Sequence, residues 1–337
     1  MNNGITVLSL CDGMSCGHIA LDKAGIKVAR YFAAEIKEIG IKVTKANYPD
    51  TIHVGDVNKI RFYNGRLETE VGDFEVGHID LLIFGSPCQT FSIAIPTEQR
   101  VGLNNLEKSG LFYQCCRILA EVKPTFFLME NVRSMRDSDR DTISSYLGVQ
   151  PIMIDSKIVA PALRSRYYWT NIPHIGEPEK RNIRLSDILE NGYTDREKAR
   201  CLAVIDSRPN TTPVKMFHRY YSTGFTTLIF KDAEHYRACC KEYERLSGGK
   251  RKISAQTLDN YDGHVFDGVR YMNQTELERC QTVPEGYTRC LTRNEAADVL
   301  GDGWTVDVIA HILGGIASEE KVARRKWLMG LLEVSAT

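Results

Sequence analysis

The sequence lacks several features that would assign it at once to a class of protein. Its formal net charge is zero, from 43 basic and 43 acidic residues, which excludes a uniformly basic protein that coats nucleic acid. It has no apolar run long enough to span a bilayer and no secretory signal at its amino end. We therefore expect free thiols in a reducing compartment and no membrane partner.

Two binding signatures are also missing. The ten cysteines include no pair of Cys-x-x-Cys elements, which argues against a zinc site, and we expect no metal. No G-x-G-x-x-G dinucleotide fingerprint occurs, which disfavours a nicotinamide oxidoreductase. What remains is a chain of 337 residues with 43% hydrophobic content, enough for a large core and a smaller second module.

The amino end has the pattern of a cofactor-binding α/β protein. The buried-strand pattern of residues 5–10 breaks into the turn Cys11-Asp12-Gly13-Met14 and then a helix. Such a turn brings backbone N–H groups close to a nucleotide-like cofactor, although an ordinary tight turn gives the same pattern. Glu35 follows the next strand, roughly 20 residues on, the spacing at which an acid takes ribose hydroxyls. Asp56 follows a third strand and is positioned to accept from an adenine amino group.

A cysteine and a carboxylate follow two further apolar runs. Residues 79–84 lead into Pro87-Cys88, and residues 126–129 lead into Glu130. Because open α/β sheets hold ligands at the carboxyl ends of their strands, we expect a nucleophile and an acid to meet there. A single cysteine is more often a buried structural thiol, and a single glutamate a surface carboxylate.

These residues resemble the DNA (cytosine-5) methyltransferase family. That family places a Pro-Cys dipeptide and a Glu-Asn-Val tripeptide on consecutive strand ends, as the sequence does at residues 87–88 and 130–132. The likeness continues in order along nearly the whole chain, from residues 7–13 to the Gly-Trp-Thr-Val run at 303–306. In size, the chain resembles the single-domain members of the family. In sequence, it is most similar to the de novo-type enzymes of animals.

The resemblance implies an α/β fold with a doubly wound, mostly parallel sheet, the fold of S-adenosylmethionine-dependent methyltransferases. A smaller target-recognition domain is expected as an insertion. We predict a first catalytic and cofactor-binding segment at 1–186, the recognition domain at 187–284 and a return segment at 285–337. The composition changes after about Pro178, and residues 300–312 are expected to return to the sheet.

The resemblance also implies S-adenosylmethionine as cofactor and a set of site residues. The family usually has Phe where Cys11 stands, so we expect weaker stacking on the adenine there. The predicted cofactor-binding residues are Cys11, Asp12, Gly13, Met14, Glu35, Ile36, Asp56, Val57, Pro87 and Trp304. The predicted catalytic residues are Cys88, Glu130, Arg164 and Arg166.

The chemistry of cytosine assigns these residues roles. C5 is a poor nucleophile until a thiolate, here Cys88, adds at C6. Glu130 would then share a proton with N3 as the ring accepts electrons. The resemblance places Arg166 near cytosine O2 and the thiol, whereas we expect Arg164 to support the loop or a phosphate. Surface salt bridging is the alternative for both arginines.

A cytosine in a stacked duplex must be flipped out before this chemistry can occur. We predict that the loop after Cys88 supplies an apolar wedge; the alternative is that its side chains pack under the loop itself. Either Thr227-Leu228 or Thr257-Leu258 resembles the Thr-Leu pair used in recognition. The predicted DNA-binding residues are Ser92, Ile93, Ala94, Ile95, Arg219, Lys250 and Arg251.

The sequence thus predicts methyl transfer to C5 of cytosine in double-stranded DNA. A tRNA cytosine-5 methyltransferase shares the same catalytic parts and stays an alternative, as does a catalytically silent DNA-binding relative. We expect a monomer, with an oligomer as the alternative, in the cytoplasm of a bacterium or viral host, or in the nucleus of a eukaryote.

Overall fold

The structure is a computed structural model that describes residues 4–86, 102–104, 106–202 and 208–317. These residues form two compact units. The first unit draws on segments 1–155, 165–178 and 306–337, and the second on 156–164 and 179–305. The functional division at 186 and 284 stays a prediction; the compact units change over after Pro178 and after Thr305.

The first unit is built on a seven-stranded sheet in the order β3-β2-β1-β7-β8-β10-β9. Neighbouring strands are parallel, except that β10 is antiparallel to both β8 and β9. The strands are β1 (Ile5–Leu10), β2 (Val28–Ala34), β3 (Ile52–His53), β4 (Arg61–Tyr63), β5 (Arg66–Thr69), β6 (Gly72–Glu75), β7 (Leu81–Phe84), β8 (Phe126–Val132), β9 (Ile152–Asp155) and β10 (Ser165–Thr170). This topology confirms the predicted doubly wound, mostly parallel fold.

The strand order reverses between β1 and β7, and both strands are buried on both faces. Every residue of β7 is fully buried, as are Val7, Leu8 and Leu10 of β1. A ligand site is expected beyond the carboxyl ends of such strands at the point of reversal. The topology therefore predicts a ligand site in the turns after β1, β2, β3, β7 and β8.

A small antiparallel sheet, β4-β5-β6, precedes β7 and was not foreseen from the sequence. The helices of the same unit that come before residue 150 are α1 (Cys16–Lys23), α2 (Glu38–Asn47), α3 (Leu106–Val122) and α4 (Asp137–Leu147). Helix α4 ends at Gly148, whose φ of 69° is the left-handed geometry that favours glycine at a helix end.

The second unit is mainly helical and packs around aromatic side chains. Its helices are α5 (Pro213–Thr223), α6 (Ala233–Ser247), α7 (Ala255–Asp259), α8 (Gln274–Cys280) and α9 (Arg293–Asp302). Phe217 of α5 lies at its centre, with ring centroids 5.2 Å from Phe266 and 5.6 Å from Tyr243 of α6. The buried carboxylate of Glu276 is paired with Arg270 at 2.7 Å, which satisfies a charge that would otherwise be costly to bury.

The return segment contributes a helix, α10, at residues 306–317. We expected residues 300–312 to return to the sheet, and this is wrong. Among the described residues, this segment is mainly helical and supplies no strand. Val306, Ile309, Leu313 and Ile316 are buried at helical spacing, which fixes one face against the core of the first unit. Asp307 binds Lys23 at 2.6 Å.

By length and apolar composition, the stretch Arg293–Ala317 could also cross a membrane. About half of its most apolar window, 56%, is buried inside the structure. Core helices pass the same test, so this is weak evidence for a membrane span.

Candidate cofactor and catalytic site

The turn after β1 has a left-handed backbone. Cys11 and Gly13 have φ values of 54° and 63°, in the left-handed region. The N–H groups of Asp12 and Gly13 both donate hydrogen bonds within the protein. Helix α2 packs closely on this turn, since a Cβ placed on Gly40 would lie 2.4 Å from the Gly13 carbonyl oxygen. Glycine is thus required at position 40 for the approach.

Two of the predicted cofactor residues in this turn face inward. Asp12 accepts a hydrogen bond from the Tyr31 hydroxyl at 2.8 Å and another, short one from the Ser15 hydroxyl. Burial raises the pKa of the Asp12 carboxyl above its usual value. Met14 is fully buried, so its side chain belongs to the core. Asp12 and Met14 shape the turn, and their contact with a cofactor stays a prediction.

Glu35 joins the first turn to the second. Its carboxylate accepts the backbone N–H of Gly13 at 2.7 Å and those of Ile36 and Lys37, each at 2.8 Å. These bonds fix the carboxylate while leaving lone pairs for further donors. The neighbouring Ile36 side chain is 68% exposed, an unusual position for a large apolar group. A sugar hydroxyl and a flat ring would complement this pair.

Asp56 is held by a residue that sequence reasoning missed. The Asp56 N–H donates to Glu70, in the turn between β5 and β6, at 2.7 Å. The Asp56 carboxylate accepts from the Asn58 N–H at 2.9 Å and so caps the short helical turn that begins at Val57. Val57 itself is 4% exposed, so its side chain packs in the core. The small sheet therefore positions the third loop at this edge.

The predicted acid and one predicted arginine form an ion pair. Glu130 Oε1 lies 2.7 Å from Arg166 Nε, and both side chains are about nine-tenths buried, with exposures of 10% and 12%. The pair exists because β10 runs antiparallel to β8, which sets Arg166 opposite Val132 and two residues from Glu130. Glu130 lies within β8; the sequence placed it just beyond the strand. A carboxylate so deeply buried is costly unless a neighbouring cation compensates its charge.

Asn131 ties the acid-bearing strand to the loop that leads to the cysteine. It is 1% exposed, and its Nδ2 donates to the Ser86 carbonyl oxygen at 3.2 Å and to the Ser86 hydroxyl at 3.1 Å. Its Oδ1 accepts from the Val132 N–H at 2.8 Å. The loop start is thereby fixed beside Glu130. Asn131 belongs to the Glu-Asn-Val tripeptide, but no role was predicted for it from the sequence.

Several predicted residues lie outside the described residues, so the structure does not place them. They are Pro87 and Cys88 of the nucleophile turn and Ser92, Ile93, Ala94 and Ile95 of the wedge. Their assignments stay predictions. Ser86, held by Asn131, is the last described residue before them.

Arg164 has different partners from Arg166, although the two residues are close in sequence. It belongs to the second unit and is 5% exposed. Its guanidinium donates to the carbonyl oxygens of Gly301 at 3.1 Å and Gly303 at 2.6 Å. These bonds support the role of holding a loop, which the sequence analysis preferred to base contact. A direct catalytic part for Arg164 stays a prediction.

The loop held by Arg164 leads to Trp304, a predicted cofactor residue in the second unit. A second buried side chain, Gln281, holds the same loop. Its Nε2 donates to the Leu300 carbonyl at 2.7 Å, and its Oε1 accepts from the Thr305 hydroxyl at 2.9 Å. No role for Gln281 was predicted from the sequence.

The structure distinguishes the candidate DNA-contacting residues of the second unit. Arg251 Nε donates to the Ser222 carbonyl at 2.8 Å, which gives Arg251 a structural contact, whereas Lys250 is exposed. Thr227 and Leu228 are buried, with exposures of 2% and 0%. The pair at 257–258 is half-buried and so is the more accessible of the two.

Comparison with known proteins finds a family model over the amino-terminal part of the chain. Residues 5–147 match the family model described as C-5 cytosine-specific DNA methylase. Over this segment the chain is similar to that family. The match runs from β1 to the end of α4, and so it contains the turns of Gly13, Glu35 and Asp56 as well as Glu130.

Methyltransferases are also found among individual proteins that resemble the chain. The Type II methyltransferase M.NgoBV of Neisseria gonorrhoeae is 31% identical over 48% of this chain, which covers 35% of that relative. The matched part thus spans about a third of the relative's length. Among solved structures, the Entamoeba histolytica methyltransferase EhMeth is 15% identical, with 94% and 98% of the two chains covered and a TM-score of 0.64. A mutant of Spodoptera frugiperda DNMT2 is 17% identical, with 92% of this chain and 99% of that chain covered and a TM-score of 0.61. At such identity these structures show the fold.

Among the residues that the structure describes, no group of three or more His, Cys, Asp or Glu side chains could hold a metal ion. The polar groups of the site bind backbone and one another.

Proposed function

We propose that the chain transfers a methyl group from S-adenosylmethionine to C5 of a flipped cytosine in double-stranded DNA. Cys88 attacks C6, and Glu130 assists at N3. The observation that carries this proposal is the buried pair of Glu130 and Arg166, beside a loop start that Asn131 fixes two residues before Cys88. The family model matched by residues 5–147 is described as a C-5 cytosine-specific DNA methylase, which supports cytosine C5 as the methylated atom.

The pair is suited to a base that becomes negative during reaction. Attack of a thiolate on C6 moves electrons toward N3 and O2 of the ring. A carboxyl group that shares its proton with N3 stabilises that charge, and a neighbouring guanidinium favours it further. C5 forms its bond to the transferred methyl group first. It then loses its proton to a base and the C6–S bond breaks, which restores the aromatic ring and the thiolate.

The residues at the first three strand ends fit S-adenosylmethionine. The Glu35 carboxylate would hold ribose hydroxyls, Asp56 would accept from the adenine amino group, and Ile36 would pack on the adenine ring. The turn at 11–13, whose Gly13 N–H donates to Glu35, would lie beside the rest of the molecule. When bound, S-adenosylmethionine supplies an activated methyl group on a sulfonium. The resemblance adds Trp304 to this set.

The direct test is incubation of the chain with S-adenosylmethionine and a mixed-sequence duplex, followed by base-resolution mapping of methylated cytosines. We expect 5-methylcytosine at a defined sequence in the duplex. A parallel reaction with tRNA tests the alternative substrate. Methylation of tRNA alone would overturn the DNA assignment, and no methylation of either, with DNA still bound, would identify a silent relative.

A further inference from the structure

The second unit contains a basic depression on the face of α5, which includes Arg219, one of the predicted DNA-binding residues. Its volume is about 390 Å³. No carboxylate is among the described residues that line it. They are Asn210, Lys215, His218, Arg219, Ser222, Thr223, Lys252 and Leu258. Because the whole chain has no net charge, three cations and a histidine around one depression are a local concentration.

The walls of this basic depression are fixed by hydrogen bonds. Asn210 Nδ2 donates to the Lys215 carbonyl at 3.0 Å, which ties the preceding loop to the first turns of α5. Arg251 Nε donates to the Ser222 carbonyl at 2.8 Å, which ties the loop carrying Lys252 to the end of the same helix. The cations are therefore presented from two elements whose separation is held by backbone contacts.

One acid lies nearby and neutralises only part of this charge. Asp259 Oδ1 is 2.6 Å from Lys215 Nζ, with side-chain exposures of 59% and 40%. An ion pair so exposed contributes little to stability, and the lysine can exchange its partner for another anion. Arg219 and Lys252 leave the depression positive. Its ligand should be an anion with several acceptor oxygens, such as a phosphodiester.

His218 is in contact with a hydroxyl that has two acceptors within reach. The Tyr243 hydroxyl lies 3.1 Å from the Arg251 carbonyl oxygen and 2.8 Å from His218 Nδ1. When the hydroxyl donates to the carbonyl, it accepts from Nδ1, and Nε2 is then the nitrogen that gains or loses a proton. An anion beside the ring is repelled by a bare Nε2 and attracted by a protonated one.

The charged and titratable groups around His218 come from four elements: Lys215 and Arg219 of its own helix, Tyr243 of α6, Arg251 and Lys252 of the following loop, and Asp259 of α7, which pairs with Lys215. Burial, and then the Lys252 ammonium, lower the pKa of the His218 ring. Both effects favour the neutral ring.

We propose that the basic depression binds a backbone phosphate of duplex DNA and that His218 takes up a proton on Nε2 as the phosphate binds. The choice of DNA rests on the proposed function. The half-buried Thr257-Leu258 pair supports it, since Leu258 forms part of the depression and brings the phosphate site next to a candidate base-reading pair. The phosphate contact would position the second unit on the duplex without reading sequence.

The first experiment measures binding of the full chain to a fluorescent duplex by anisotropy across a range of salt concentrations. Lys252→Ala removes one phosphate contact and is expected to reduce the slope of log K against log salt by about 0.9. Lys241→Ala, an exposed lysine on α6 away from the depression, is the matched control and should leave the slope unchanged. Equal slopes for wild type and Lys252→Ala would overturn the proposal.

The second experiment repeats the titration between pH 6 and pH 8. His218→Asn keeps a donor near the Tyr243 hydroxyl but has no second nitrogen. We expect wild-type affinity to fall severalfold as pH rises, and the variant to lose this dependence. The same pH dependence in both proteins would refute the coupling, and thermal unfolding checks that the variant is folded.

A tRNA arm separates the partners. If tRNA binds more tightly than duplex, with the same loss on Lys252→Ala, the depression binds RNA and the DNA assignment fails. Binding is measured without methyl transfer, so the two proposals fail separately. Lysine-dependent DNA binding without methylation would leave the site standing and remove the proposed activity.

Discussion

The two polar regions of the molecule differ in what their side chains bind. In the first unit, Glu35 accepts three backbone N–H groups and Asn131 donates to the Ser86 turn. In the second unit, Arg219 and Lys252 line an open depression. The first region is fixed before any ligand arrives, as transfer chemistry requires. The second region presents cations that can bind an anionic ligand such as the proposed DNA phosphate.

The largest effect should come from the acid of the fixed region. Glu130→Gln keeps the size of the side chain but cannot supply a proton to N3, so methyl transfer should fall by about 10²–10⁴-fold. The exposed Glu68→Gln is the control, and a single-turnover assay with saturating duplex is the measurement. If Glu130→Gln retained most of the rate, the acid would have no part in the chemistry.

Arg164 tests whether a buried cation can belong to the framework. Arg164→Met removes both bonds to the carbonyls of Gly301 and Gly303, and hydrogen bonds to a charged group are worth about 1.5–3 kcal/mol each. We expect the free energy of unfolding to fall by about 3 kcal/mol, with partial rescue by Arg164→Lys. The exposed Arg237→Met should change nothing.

A lost rate in Arg164→Met with unchanged stability would point the other way. Arg164 would then act on the substrate directly, and its role as a loop holder would be wrong.

Gly40 tests how firmly the cofactor turn is held. In Gly40→Ala the new Cβ would lie 2.4 Å from a backbone carbonyl, so the turn or α2 must shift. We expect a loss of about 1–3 kcal/mol in stability together with weaker binding of S-adenosylmethionine, measured by calorimetry. Gly110→Ala, in α3 with no atom within 4 Å of the new Cβ, should be neutral or stabilising. Unchanged cofactor affinity in Gly40→Ala would show that the turn is not a cofactor contact.

Asp12 should give the smallest effect, visible in its pH dependence. Burial raises the pKa of this carboxyl in the folded state above the usual 3.8. The folded protein therefore holds the proton more tightly than the unfolded chain does. The stability so gained is fully present below the unfolded pKa and is lost as pH rises through the folded pKa.

The measurement is chemical denaturation at a series of pH values from about 4 to 7. The stability of wild type relative to Asp12→Asn should decrease as pH rises. A difference that grows with pH would mean that the ionised carboxylate is the favoured form in the fold.

The strand ends could be predicted from the sequence because buried parallel strands are short apolar runs closed by turn residues. That pattern placed the turn at Gly13, the acid at Glu35 and the acid at Glu130 on one edge. The partners of these groups could not be predicted. Glu70 reaches Asp56 from a separate small sheet, and Arg164 is sorted into a different unit from Arg166, two residues away.

Two further outcomes depended on tertiary packing. Residues 306–317 form a helix because their apolar side chains recur at helical spacing, which a short apolar run does not distinguish from a strand. The two Thr-Leu pairs look alike in sequence, yet one is buried and the other half-buried. The recognition surface is made by distant residues brought together, so local patterns carry little of it.

The central claim is that Cys88 forms a covalent bond to the cytosine ring. A duplex with 5-fluorocytosine at the mapped site cannot lose its C5 substituent as a proton, so the adduct should persist through denaturing electrophoresis in the presence of S-adenosylmethionine. Wild type and the control Cys290→Ser, a half-buried cysteine of the second unit, should both be trapped, and Cys88→Ser should not. Trapping of Cys88→Ser as efficient as that of wild type would contradict the account.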